Sequence, residues 1–113
     1  MIDGIGVDVV DIARFQESLE RTAGLREKLF TESERTLSTP SLAARFAAKE
    51  ALYKALSPSH GLAWHEAEVI NQPNGKPEFL FRGEIADLID GARVHLSLSH
   101  DAGIASAMVV LER

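Results

Sequence analysis

Six of the thirteen residues from Ala43 to Ala55 are alanine. Alanine is the strongest helix former, so "ARFAAKEALYKAL" predicts a rigid helix from about Ser41 to Leu56, with Pro40 as punctuation before it. This rod also carries Arg45, Lys49, Glu50 and Lys54. At about 100° per residue, Glu50 and Lys54 are neighbours one turn apart, and Arg45 and Lys49 form a second pair displaced about 100° round the axis. Ala48, Ala51, Leu52, Ala55 and Leu56 fill the other side. A Glu to Lys pair at i,i+4 is ordinarily a solvated surface feature worth a few tenths of a kcal/mol. Phe46, placed between the two charged pairs, argues instead that something covers this face.

The remainder of the chain predicts an α+β fold, a mostly antiparallel sheet packed with helices in one domain over residues 1–113. Ile2 to Val10 reads as a strand, with Ile5, Val7 and Val9 on one face and Gly4, Gly6 and Asp8 on the other. Asp11 is placed to cap a helix over 12–23 that buries Ile12, Phe15 and Leu19, with Gly24 suited to its end. Thr31 with Glu34 three residues on has the form of a capping box in an interrupted helical stretch. "SPSHG" reads as a short loop, "AWHEAEVI" as a strand, and Asn74-Gly75 as a hairpin signal before "FLFR". "GEIADLID" fits a short helix stopping at Gly91. "RVHLSLS" and "IASAMVVLE" are strands joined by the turn "HDAG", with Val94, Leu96 and Leu98 on one face of the first.

Composition narrows the function classes. With no cysteine there is no disulfide framework, thiolate metal site or catalytic thiol. The net charge of −5 argues against a broad nucleic-acid or anionic-membrane surface, though not against a small basic site for one phosphate ligand. The apolar runs fall far short of a membrane span, and acidic residues interrupt the first twelve, so a cytoplasmic protein without a signal peptide is expected.

Asp8 and Glu50 together would supply two hard oxygen ligands, the usual protein share of a Mg²⁺ site that is completed by waters and phosphate oxygens. Gly4 and Gly6 precede Asp8 on its face and leave room for a backbone or a ligand to approach. "GIGVDV" fails as a dinucleotide fingerprint, because Val9 occupies the third glycine position and a strand continues where a helix should start. Ser99, His100 and Asp101 cannot form a relay among themselves, since neighbours in a strand point to opposite faces. His100, at a strand end beside a turn, could donate to an anion or simply face water.

Taken together, "GIGVDVVDIARF", "RFAAKEALYKAL" and "HLSLSHDAGIASAMVV" resemble the small bacterial holo-acyl-carrier-protein synthases, which are 4′-phosphopantetheinyl transferases. "GLAWHEAEV" and "NGKPEF" fall in the same order, so the resemblance covers nearly the whole chain. Its most specific part is an aromatic, two residues, Lys-Glu-Ala, two residues, Lys: here Phe46, Lys49, Glu50, Ala51 and Lys54.

The resemblance implies the 4′-phosphopantetheinyl transferase fold and a reaction. A serine hydroxyl of an apo acyl carrier protein attacks the β-phosphate of coenzyme A, and adenosine 3′,5′-bisphosphate leaves. It implies Asp8 and Glu50 as ligands of Mg²⁺, with Asp8, Glu50 and Lys54 as the catalytic set. Coenzyme A contacts would come from Arg45, Lys49, Lys54, Asn74, Gly75, Lys76, Pro77, Ser99 and His100. For Lys49 the alternative is a mere i,i+4 neighbour of Arg45 and Tyr53. The serine proton has two candidate acceptors, Glu50 and a water on the metal. Arg14 and Arg21 would dock the carrier's acidic helix, although Glu17 shares their side of the first helix. A homotrimer with active sites between subunits is implied as well. Asp11 stands where the family commonly has Glu. The competing reading is a non-catalytic module that binds a carrier protein or a nucleotide.

Overall fold

Two glycines in the first strand decide what can lie behind it. In the computed structural model, which describes residues 1–56 and 63–113, β1 spans Ile2–Asp11 and runs past the long helix α3, Thr39–Leu56. A Cβ at Gly6 would stand 1.8 Å from the Ala51 carbonyl oxygen, and one at Gly4 would stand 2.0 Å from that of Ala55. Strand and helix therefore touch backbone to backbone, which only glycine permits. On the helix side Ala47, Ala48, Ala51 and Ala55 are all buried. The short side chains let the rod settle onto the sheet.

Between these elements lie α1, Ile12–Arg21, and α2, Leu25–Leu29. Beyond α3 come a 3₁₀ turn, Trp64–Glu66, and a hairpin of β2, Ala67–Asn71, with β3, Pro77–Phe81. Then α4, Gly83–Ile89, leads to the hairpin of β4, Arg93–Asp101, with β5, Ile104–Glu112. The main sheet has the order β1-β5-β4 and is antiparallel throughout, with Val7 opposite Met108 and Leu96 opposite Val109. β2 and β3 form a second, two-stranded antiparallel sheet. The α+β expectation is met. The loop read at "SPSHG" lies outside the described residues.

Local signals account for most boundaries. Asp11 caps α1, its Oδ1 accepting from the Arg14 amide at 3.0 Å, and the helix ends at Arg21, two residues before the expected Ala23. α3 begins two residues earlier than expected because Pro40 sits in its first turn, where a missing amide hydrogen does no harm. "AWHEAEVI" is strand only from Ala67 onward. The expected capping box is half present. Glu34 Oε1 accepts from the Thr31 amide at 2.9 Å, but residues 32–36 are turns, and the next helix, α3, starts only at Thr39. The Glu34 carboxylate is drawn inward instead, where Lys49 and the Val69 amide claim it. Nearby Glu68 is buried, which raises its pKa. Hydrogen bonds from the Ser33 and Thr31 hydroxyls and from Arg82 outweigh that effect and hold it down to about 2.

The packing inverts the ordinary expectation for a half-buried strand. The glycine face of β1 is covered, while Ile5, Val7 and Val9 are 58%, 57% and 62% exposed. Met108, opposite Val7 on β5, extends this outward apolar surface.

Gly6→Ala tests the close approach. Its new Cβ meets a helix carbonyl rather than a flexible side chain, so the loss exceeds the ~1–3 kcal/mol of ordinary overpacking. Urea melts followed by circular dichroism check this, and a variant within 1 kcal/mol or so of the parent would show that α3 can move away.

Candidate active site

Asp8 is the next residue after Gly4 and Gly6 on their face of β1, so its carboxylate emerges beside the helix at the end of the backbone contact. Lys54 of α3 reaches it. Its Nζ donates to Asp8 Oδ1 at 3.1 Å and to the Val7 carbonyl at 2.9 Å. Glu50 lies one turn before Lys54 on the same face of α3. Partial burial pushes the Glu50 carboxyl above its usual pKa, the Asp8 charge adds to this, and Lys54 works against it. The structure thus brings Asp8, Glu50 and Lys54 together. Asp8 and Glu50 share an open cleft of about 430 Å³ with Arg14, Phe15 and Phe46. Phe46 packs tilted against Phe15 at 5.2 Å between ring centroids and stacks on Trp64 at 5.4 Å, which answers what covers the charged side of the helix.

A second cleft of about 230 Å³ shares no lining residue with the first. Arg45, one turn before Lys49 on α3, lines this cleft with Ser99 and His100 near the end of β4, Gly75 of the β2–β3 turn and Pro77 at the start of β3. Arg45 is only 7% exposed, and its Nε has no hydrogen-bond partner among the described residues. Burial lowers its pKa and the Glu34 charge opposes the shift. A buried guanidinium with an unused donor beside a histidine and a serine is suited to an anion, since Arg matches phosphate oxygens with a fixed fork of donors.

The other expected residues divide. Asn74 and Lys76 belong to the same turn but stay at its exposed tip, where Asn74 Oδ1 accepts from the Lys76 amide at 2.9 Å. Arg14 and Arg21 are both exposed on α1, and only Arg14 borders the first cleft. Lys49 is corrected. It is fully buried, and its three N–H groups go to Glu34 Oε1 at 2.7 Å, the Leu29 carbonyl at 2.9 Å and the Trp64 carbonyl at 3.0 Å. No donor remains for coenzyme A. The Arg45 and Lys49 pair is likewise no surface feature, because the 27–35 segment and the 3₁₀ turn close over that side of the helix.

Two parts of the surroundings were not expected from the sequence. Ser41, in the first turn of α3, borders the second cleft with Arg45, a placement the i,i+4 spacing itself contains. Glu34 is the buried counter-charge, and its only signal was the incomplete capping box.

Two carboxylates in one cleft, with an ammonium paired to one of them, can gather an anionic substrate around a cation. Among the described residues no group of three or more His, Cys, Asp or Glu could enclose a metal, and in this cleft Asp8 and Glu50 are the two carboxylates that could hold one. The remaining positions would go to water and substrate oxygens, the pattern Mg²⁺ favours.

Comparison with known proteins gives one answer. Residues 4–105 match the 4′-phosphopantetheinyl transferase superfamily. The holo-[acyl-carrier-protein] synthase of Leifsonia xyli subsp. xyli is 59% identical, with 100% of this chain and 98% of that protein aligned. Among solved structures, a holo-(acyl-carrier-protein) synthase from Bacillus anthracis in complex with CoA (3′,5′-ADP) is 37% identical with a TM-score of 0.82, covering 99% of this chain and 97% of that one. The holo-[acyl-carrier-protein] synthase of Neisseria meningitidis superposes with a TM-score of 0.91 at 30% identity, with 100% of both chains covered.

The coupling of Asp8 to Glu50 is measurable without any ligand. In metal-free protein, Asp8→Asn lowers the Glu50 pKa but leaves it above the usual carboxylate value, because burial persists. Lys54→Met raises it further. Carboxyl ¹³C titration by NMR checks both directions, and a Glu50 that ignores both substitutions would separate it from the Asp8 and Lys54 charges.

Proposed function

The chain belongs to the 4′-phosphopantetheinyl transferase superfamily, and we propose that it moves the 4′-phosphopantetheine group of coenzyme A onto a serine of an apo acyl carrier protein in the cytoplasm. The observation that carries this reading is the pairing of Asp8 and Glu50 in one cleft with Lys54 on the Asp8 carboxylate. Bound there, Mg²⁺ would neutralise the pyrophosphate charge and polarise the phosphorus under attack. Asp8 and Glu50 would hold it, and Lys54, on the Asp8 carboxylate, would stabilise the charge that develops on the leaving phosphate. The serine hydroxyl gives up its proton, to Glu50 or to a water in the cleft, as its oxygen forms a bond to the β-phosphorus; the bridging P–O bond breaks, and adenosine 3′,5′-bisphosphate departs with the electron pair. Rigid placement on α3 matters more here than covalent help, since phosphoryl transfer depends on positioning and charge.

Arg45, Ser99 and His100 in the second cleft suit the phosphate on the adenosine ribose, with Gly75 and Pro77 bordering the base. Arg14 and Arg21 offer cations to an acidic carrier on an otherwise acidic chain.

The separation of the clefts supports a shared site in a homotrimer. Ser99 lies in register with Ser106 and, across β5, with Val9, so one edge of the second cleft opens on the outward apolar side of the sheet. A neighbour packed on Ile5, Val7, Val9 and Met108 buries that surface and brings the first cleft of one copy to the second cleft of the next.

Incubation with coenzyme A, Mg²⁺ and an apo carrier protein, followed by mass spectrometry, should show the carrier gaining one phosphopantetheine group. No gain with any acyl carrier tried would sink the reading. Glu50→Gln keeps the fold and lowers kcat by about a hundredfold to a thousandfold, the scale expected when charge stabilisation at the reacting phosphate is removed. Arg45→Met raises KM for coenzyme A. Assayed at coenzyme A well below the KM of the Arg45→Met variant, where each variant alone is nearly silent, the two mixed after joint refolding regain about a quarter of the parent activity, because random assembly gives that share of sites an intact half from each copy. Without such recovery, each chain would carry its own complete site.

A further inference from the structure

We propose that Lys49 and Glu34 form a positioning pair that holds the aromatic wall of the first cleft and the rotation of α3 for the transfer reaction, without touching either substrate. The inference rests on the function proposed above, yet its geometry lies wholly inside the protein.

The pair is closed on itself. Lys49 Nζ spends its three donors on Glu34, Leu29 and Trp64, as described. Glu34 Oε1 also accepts from the Thr31 amide at 2.9 Å, and Oε2 accepts from the Val69 amide at 2.9 Å. Neither side chain has an unused polar atom to offer a ligand. Both are fully buried, where a charge persists only when paired and hydrogen-bonded.

What the pair holds is next to the chemistry. Lys49 precedes Glu50 in the chain, so the direction in which its ammonium is anchored sets the angle at which Glu50 leaves the helix. On one side α3 is fixed by the glycines of β1; Lys49 is the polar fixing on the other. Its bond to the Trp64 carbonyl also places the Trp64 ring, which stacks on Phe46 with 20° between the ring planes. Phe46 is the wall of the cleft that holds Glu50. The Lys49 ammonium stands 5.3 Å from the Phe30 ring centroid, and Phe30 meets Phe15 edge to face at 6.1 Å. Both ends of the aromatic row thus refer back to one ammonium group.

A buried ion pair could be merely a structural fixture, and hydrophobic replacement of such pairs is often tolerated. The test separates that outcome. Lys49→Met alone would strand the Glu34 charge, so the variant is Glu34→Gln/Lys49→Met, which removes both charges. Beside it, Trp64→Leu keeps the carbonyl that Lys49 uses and deletes only the ring. Trp64 is the single tryptophan, so its emission reports this contact directly.

The expected result is that both variants melt cooperatively and lose about tenfold or more in kcat, while KM for coenzyme A stays within about threefold. The double variant also shifts Trp64 emission to the red. A folded variant with parental kcat, a loss confined to KM, or unchanged emission in the double variant overturns the proposal. Should the double variant not melt cooperatively, the kcat of Trp64→Leu decides. If the parent protein itself transfers nothing, the function proposed above falls, and Trp64 emission in the double variant alone decides whether the pair holds the wall.

Discussion

The contact of the Gly4 and Gly6 backbone with the Ala51 and Ala55 carbonyls is the constraint from which the site follows. It fixes how close α3 stands to the sheet and which side of the helix meets Asp8. Side chains as small as a methyl group on β1 would separate the two elements. Asp8 and Glu50 would then lose the proximity that adds to the effect of burial in raising the Glu50 pKa. The same contact commits the apolar face of β1 to the outside, because a strand has only two faces and the helix occupies the glycine one.

Three cations within ten residues of α3 meet three different fates, set by what surrounds each. Lys54, half exposed, pairs with Asp8 at the rim of the first cleft. Lys49 is enclosed and fully hydrogen-bonded. Arg45 is nearly as buried but keeps an unused donor beside Ser99 and His100. Equivalent charges on one helix thus become a half-exposed ion pair, an internal tie and an open donor. The distinction comes from the neighbours supplied by β1, by the 27–35 segment and by β4.

Much of this was legible in the sequence, because it depends on local chemistry. Asp11 announced the start of α1, Asn74-Gly75 the hairpin, and the glycines before Asp8 the close approach of another backbone. The shared location of Asp8 and Glu50 came from the resemblance of three separated motifs, since no local rule says that a first strand meets a third helix. Lys49 was misplaced for a physical reason. Helical spacing places charges on a face but cannot say whether that face meets water. The segment that closes over Lys49 carries its partner Glu34 fifteen residues earlier, in a turn that spacing alone presents as a helix start. The division into two clefts was hidden for the same reason, as Arg45, Gly75 and His100 come from three distant parts of the chain.

The register of the main sheet has a consequence for how the molecule is made. β1 pairs with β5 and with no other strand of that sheet, so Asp8 lies opposite Ala107, about a hundred residues away. Contacts so distant in sequence close late and slow the search for the native state. During synthesis β1 emerges about a hundred residues before β5 and waits without its hydrogen-bonding partner for that interval. Ile5, Val7 and Val9 stay uncovered throughout that interval, a period when unpaired apolar strands are most prone to join one another. The cleft holding Asp8 is therefore among the last features of the chain to form. A ribosome-bound fragment lacking β5 would carry the motif of the site but not its geometry.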